Sequence, residues 1–272
     1  MELKIYENLS QKEYRSNREF LSASDIKTLL DNPYKYLNPQ NETKNDNLTL
    51  GSLVHSLILE KENFKRDFII MPELNLRTKE GKELKNQLEL QAIKENKELV
   101  KNDIYAQAME IVQAFEKTDI KKLFNNGVSE ASVFGEIENV PCKCRPDFWI
   151  KDKNLILDLK TTSNENGANP DAFLKNIANF KYYIQASFYL ELTKAKEFYF
   201  IVIETKSPFM VGVYKLDEVS LDFGKKEILR AFETYKNLEK YKKNIYVNSD
   251  DFKIVQELTL PNYVYYQKGA SF

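Results

Sequence analysis

Two runs decide how this chain reads: Arg145-Pro146-Asp147-Phe148-Trp149-Ile150 and, after a short polar turn, Leu155-Ile156-Leu157-Asp158-Leu159-Lys160-Thr161-Thr162. Their branched and aromatic content predicts two neighbouring strands of a hairpin. Residues two apart on a strand share a face, so Asp158 and Lys160 project together while Leu157 and Leu159 turn to the core. The hairpin brings Asp147 beside Asp158. Two carboxylates and an ammonium then meet on a strand that otherwise reads as buried. The competing reading makes Asp147 a turn residue and Asp158 with Lys160 a surface pair. Carboxylates that close are unfavourable without a cation between them, which points to a bound divalent metal. Oxygen ligands of this kind suit Mg²⁺ or Mn²⁺. Such a metal polarises a phosphodiester and acidifies a bound water, while Lys160 orients that water or offsets charge on phosphorus.

Working outward, residues 129–138 read as a further strand, giving a three-strand meander over 129–138, 141–150 and 154–162. Asn169-Pro170 caps a long helix reaching about residue 193, with Pro at its first position. Residues 197–204 and 209–216 are two more strands, joined by Lys206-Ser207-Pro208. Residues 220–243 read as a basic amphipathic helix, either lining a channel for a polyanion or keeping a surface soluble. Upstream of Gly127 the texture is helical. Ser22-Ala23-Ser24-Asp25 offers N-cap types before Ile26, Leu29 and Leu30, with a stop before Pro33. An Asn-rich loop is expected over 38–49, an apolar helix carrying His55 over 50–60, and helical periodicity over 78–124. The fold class is α/β: a central mixed sheet flanked by helices, with a helical N-terminal extension. Residues 1–127 and 128–272 are expected to form two parts of one structural unit.

The chain has 272 residues, 40 Lys+Arg against 41 Asp+Glu, 42% hydrophobic and 12% aromatic residues. That composition excludes a disordered chain. It also offers no overall basic excess to neutralise phosphates, so any nucleic-acid contact must be local. No apolar run approaches the roughly 18 residues that cross a bilayer. The first residues lack the apolar block of a signal peptide, so a cytoplasmic protein without membrane contact is expected. Cys142 and Cys144 are expected to form neither a disulfide nor a metal knuckle, and two cysteines cannot hold a four-cysteine iron-sulfur cluster. With a single His, a metal site must be built mainly from carboxylates. No Walker motif is present, so no nucleotide cofactor is expected.

Pro146-Asp147, ten residues, then Asp158-Leu159-Lys160 resembles the PD-(D/E)XK nuclease motif. Its flanks narrow the match. Tyr14, Leu21-Ser22-Ala23-Ser24-Asp25-Ile26, Asn32-Pro33-Tyr34, Leu50-Gly51-Ser52-Leu53-Val54-His55, Arg77-Thr78-Lys79-Glu80-Gly81-Lys82, the two central runs and Tyr183-Ile184-Gln185-Ala186-Ser187-Phe188-Tyr189 occur in one order. The series, spanning about residues 14–216, is similar to the nuclease domain of exodeoxyribonuclease VIII, the RecE-type recombination exonuclease of prophages. The resemblance implies a Mg²⁺-dependent 5′ to 3′ exonuclease on linear double-stranded DNA, leaving 3′ tails for a single-strand annealing protein. It also implies a ring-shaped homo-oligomer, a tetramer by family habit. By position, His55, Asp147, Asp158 and the Leu159 carbonyl would hold metal, and Lys160 would be the catalytic lysine.

A lone His on an apolar helix is more often a core residue than a ligand, but Gly51 lies one turn before His55 and leaves room to approach the site. Gln185 and Tyr189, four apart, share a helix face and resemble the QxxxY element of related nucleases, with Gln185 near the catalytic centre. Lys181 extends that polar stripe. Arg77, Lys79, Arg145, Thr161, Lys181 and Tyr189 are candidate DNA contacts. Glu130 and Glu136 are six apart on one strand, so alternation cannot choose which joins the metal shell. Two other readings stay open: a PD-(D/E)XK endonuclease of restriction or repair type, and a catalytically silent DNA-binding module.

Overall fold

The computed structural model describes residues 2–39, 46–241, 246 and 253–261. Strand β1 (Lys4–Tyr6) precedes helices α1 (Gln11–Ser16), α2 (Ala23–Asp31), α3 (Pro33–Leu37) and α4 (Asp46–Leu59). Capping boxes start α1 and α2: the hydroxyls of Ser10 and Ser22 accept from the third helical N–H, and Glu13 and Asp25 reach back to the cap. Asn32 then ends α2 and caps α3, which has Pro33 at its first position. The loop expected over 38–49 falls partly on residues 40–45, outside the described residues, and α4 already begins at Asp46.

Helix α5 (Phe64–Asp67) leads into β2 (Phe68–Met71), followed by α6 (Lys79–Glu95), β3 (Glu98–Lys101) and α7 (Asn102–Glu116). The continuous helical texture expected over 78–124 is therefore interrupted. Asn96 stops α6 in the left-handed region (φ 53°), and β3 pairs in parallel with β2. A four-residue strand among helices has no periodicity of its own, and its pairing with a distant segment decides it.

Next come β4 (Val128–Ser129), β5 (Ser132–Ile137), β6 (Val140–Cys144), β7 (Phe148–Ile150) and β8 (Leu155–Thr162). The expected single meander is corrected here. Both strands of the first hairpin break, at Glu130-Ala131 and at Arg145-Pro146-Asp147, so that β5 and β6 join β1 in a three-stranded sheet while β4 and β7 join β8 in another. Pro146 supplies no N–H for a ladder, which favours a break there.

The chain continues through α8 (Pro170–Asn179), α9 (Tyr182–Thr193), β9 (Glu197–Glu204), β10 (Val211–Tyr214) and α10 (Glu218–Lys236). One long helix was expected from residue 169 to 193, but Lys181 takes left-handed backbone (φ 51°, ψ 45°) and splits it. The last helix ends at Lys236, and residues 242–243 of its expected range lie outside the described residues.

The main sheet has the order β10-β9-β8-β7-β4, with β8 and β9 parallel and its other pairs antiparallel. Its two central strands are buried on both faces, which explains their nearly continuous apolar sequence. Ile156, Phe198, Phe200 and Val202 face a core shared with α2, α8, α9, α10 and the small sheet. Leu155, Leu157, Leu159, Ile201 and Ile203 face a second core built with α4 and α7. Helices from the first 127 residues thus contribute to both cores. Cys142 and Cys144 are free thiols buried in the first one. Among the described residues no helix is long and apolar enough to cross a membrane.

Candidate active site

The alternation read from the sequence holds on β8. Leu157 and Leu159 are fully buried in one core, while Asp158 and Lys160 project toward α9. Asp158 has no solvent exposure, yet both carboxylate oxygens are engaged: Oδ2 with the Lys160 ammonium, and Oδ1 as acceptor from Gln185 Nε2 at 2.6 Å. Burial pushes the Asp158 carboxyl up to about 6, with the Lys160 charge opposing that rise. Burial alone would discharge Lys160, but Asp158 and Asp147 overcome it and hold the ammonium above its ordinary range. Lys160 is therefore a fixed cation at neutral pH.

The register pairs Phe148 with Leu157, which puts Asp147 across from Asp158 as expected. Asp147 stands in the break before β7, and its Oδ2 accepts a 2.7 Å hydrogen bond from the Leu159 N–H. Its nearest side-chain companions come from elsewhere in the chain. His55 on α4 places Nδ1 3.6 Å from Asp147 Oδ2, and Glu130 completes a group whose ligand atoms lie within 4.8 Å of one another. Glu130 occupies the opposite break, with left-handed backbone (φ 51°) and its N–H donated to the Asp147 carbonyl at 3.1 Å. The two hairpin breaks thus clamp each other and aim both acids at one point. Burial, then the neighbouring Asp147 charge, raises the Glu130 carboxyl well above its usual range, with Arg145 opposing. Glu136, the alternative left open by alternation, lies on β5 outside this group.

One imidazole nitrogen with two carboxylates is a donor set that fits a divalent cation, which would also relieve the Asp147 repulsion that adds to burial in raising Glu130. Gly51, one turn before His55, lets α4 approach β8: a Cβ there would come 3.1 Å from Thr161 Oγ1. The structure groups Asp147 with His55 and Glu130, while Asp158, across from Asp147, contacts Lys160 and Gln185. Leu159 lines the same cleft.

The candidate DNA contacts are distributed unevenly. Thr161 lines the cleft, an open hollow of about 2070 Å³ that also contains His55, Glu130 and Lys160. Arg145 lines it too, but its guanidinium is turned inward, donating to Ser132 Oγ at 2.6 and 2.9 Å and to the Leu9 carbonyl at 2.6 Å. Tyr189 donates to the Arg145 carbonyl at 3.3 Å and so braces the Pro146-Asp147 turn from behind. Lys181 does not extend a stripe with Gln185. It sits in the break before α9, paired with Asp31 of α2. Arg77 and Lys79 are exposed where α6 begins, and neither lines the cleft.

Several residues escaped the sequence reading. Lys12 and Arg15 on α1 line the cleft and pair with no carboxylate among the described residues. Arg66 and Lys97 line it also, tied to Asp67 and Glu95. Lys27 of α2 places its ammonium 5.2 Å from the Tyr182 ring centroid, and Lys160 approaches the same ring at 5.0 Å. Burial, then the Lys160 charge, depresses Lys27 to about 8. No local pattern marks Lys12, Arg15, Arg66 and Lys97, because their common feature is the cleft itself.

The sequence pattern of the PDDEXK-like domain of unknown function DUF3799 matches residues 22–246. The chain belongs to that family. No curated protein matches this PDDEXK-like chain. Among solved structures it is similar to a protein of Eubacterium rectale, inferred to be an exonuclease, at 14% identity and a TM-score of 0.60. That match covers 97% of this chain and 99% of the other, so the two share a fold over nearly their full lengths. An alkaline exonuclease from Laribacter hongkongensis matches at 12% identity and a TM-score of 0.35, covering 85% and 95% of the two chains. A phage-related exonuclease from Haemophilus somnus 129PT matches at 13% and 0.34, covering 81% and 95%. The PDDEXK-like assignment agrees with the α/β class and with the motif read at Pro146-Asp147 and Asp158-Leu159-Lys160.

Proposed function

We propose that this protein is a metal-dependent nuclease that digests linear double-stranded DNA from its 5′ ends and leaves 3′ single-stranded tails for recombination by strand annealing. The observation that carries the reading is one juxtaposition: His55 and Glu130, grouped with Asp147, line the cleft together with Lys160, whose partner Asp158 is buried. His55, Glu130 and Asp147 would hold a Mg²⁺ ion, for which Mn²⁺ can substitute, with Asp158 and the Leu159 carbonyl as further ligands on this reading. A bound divalent ion polarises a phosphodiester and acidifies a water.

The chain's own residues do the rest. Lys160, kept charged by two carboxylates, orients a nucleophilic water or offsets charge developing on the phosphate. Gln185 fixes the Asp158 carboxylate, and the Leu159 N–H fixes Asp147, so the acids are held before substrate arrives. Residues 1–127 and 128–272 act as one unit here, since His55 comes from the first part and the other site residues from the second. The resemblance to RecE-type enzymes extends the reading to a cytoplasmic homo-oligomeric ring, a tetramer, that hands its product to an annealing protein.

Digestion of end-labelled linear duplex and of covalently closed circles tests this. The expected result is Mg²⁺-dependent loss of linear DNA with circles intact, abolished by Asp158→Ala. Efficient cutting of circles would identify an endonuclease instead, and no cutting of either would leave a binding module.

A further inference from the structure

The break between α8 and α9 puts an aromatic ring where a core residue would not be. Phe180 ends α8, Lys181 turns the chain through left-handed backbone, and the Lys181 pairing with Asp31 holds the turn in place. Left-handed backbone is costly for a residue with a side chain, so this corner is maintained by what surrounds it. Its effect is to leave Phe180 57% exposed. Behind it the rings are packed. Phe180 stacks on Tyr182 at 5.5 Å and 30°, and Tyr182 contacts Phe200 and Phe173, both buried. In this array Phe180 is the exposed member.

The open side of Phe180 faces two hollows at once. It lines the main cleft, and it lines a side pocket of about 150 Å³ that shares Lys160, Thr161, Ser163 and Tyr182 with that cleft. The remaining lining mixes Thr162, Asn164 and Asn176 with Phe173 and Val202. Asn164 and Asn176 line the pocket, and their side-chain amides make no hydrogen bond among the described residues. An apolar partner would leave those amides unsatisfied. A flat ring with polar edges would use both the aromatic face and the amides.

We propose that this side pocket receives one unpaired nucleobase of the DNA end, stacked on Phe180, with the adjoining phosphate at Lys160. The assignment rests on the nuclease reading above and adds a positioning residue to it. Taking a base out of a duplex end costs stacking and pairing energy. An aromatic platform returns part of that energy for any base, because every base presents a π face. The two amides can meet the base edge without selecting one base strictly, since each offers both a donor and an acceptor.

The test is a coupling experiment. Wild type, Phe180→Ala and Phe180→Trp are assayed on intact linear duplex and on duplexes abasic at either nucleotide flanking the first scissile phosphate. On intact duplex Phe180→Ala is expected to lower kcat/KM about ten-fold, as loss of one base–aromatic stack implies, while Phe180→Trp stays close to wild type. On one of the two abasic duplexes the difference between wild type and Phe180→Ala should vanish. An equal loss on the intact and both abasic duplexes would mean a structural role and overturn the assignment, as would a wild-type rate for Phe180→Ala. A wild type that digests no duplex overturns the nuclease reading, and the base pocket with it. Active wild type without coupling removes the pocket alone.

Discussion

Two groups of charge meet on adjoining strands of the sheet, and they are settled differently. Asp158 is fully buried and finds its counterion and hydrogen bond within the protein, in Lys160 and Gln185. Asp147 and Glu130 are partly exposed and face each other and the His55 imidazole, with Arg145 no closer than 4.0 Å to Glu130. The first group has its charge balanced within the protein, although Asp158 Oδ2 accepts no hydrogen bond among the described residues. The second leaves repulsion that a cation from solvent would remove. A paired cation and an acidic cluster thus sit side by side.

The largest expected effect comes from breaking the completed group. Lys160→Ala strands the Asp158 carboxylate in the core and should cost about 3–5 kcal/mol, the range for removing one partner of a buried pair. Adding Asp158→Asn should recover much of that stability without restoring hydrolysis. Chemical denaturation of the single and double variants measures it, and a Lys160→Ala protein as stable as wild type would show that Asp158 is discharged in the fold.

The second group predicts a metal response. Mn²⁺ at a hundredfold excess over its Kd should stabilise the wild type by about 2.7 kcal/mol. Glu130→Gln should weaken that gain and Glu136→Gln should leave it alone. Equal responses from both variants in a thermal melt would break the distinction drawn between the two glutamates.

The smallest effect sharpens the contrast between two lysines on one ring. Lys160 is held charged by carboxylates, whereas Lys27, over the same Tyr182, is depressed to about 8 by burial and by Lys160. A folded pKa below the unfolded value of about 10.5 means that the unfolded chain binds more protons between pH 8 and 10.5, so stability rises across that window. Lys27→Met should therefore be favoured over wild type at pH 7, with the advantage shrinking from pH 8 upward. A gap independent of pH would place Lys27 in solvent.

Legibility followed the range of the interactions. The β8 alternation, the N-cap within Ser22–Asp25 and the Asp147 to Asp158 register all rest on neighbours in sequence or on one tight hairpin, and each could be read residue by residue. The break at Lys181 could not: the stretch from Pro170 to Thr193 is helical in pattern throughout, and only a corner pinned by Asp31 divides it. Arg145 misled for a related reason. Its place beside the motif suggested phosphate, while the strand bend turns it onto Ser132 and the Leu9 carbonyl.

By itself the sequence determined the face on which each β8 side chain lies, because a strand repeats every two residues whatever surrounds it. It therefore determined that Asp158 and Lys160 stand together on an apolar strand, and through the motif order it pointed to the family. Only the tertiary structure decided which residues complete the site. Glu130 and not Glu136 reaches Asp147 because both strands of one hairpin break at the same level. His55 arrives because Gly51 lets α4 lie against Thr161. Such contacts depend on packing between segments far apart in the chain, and no local period records them.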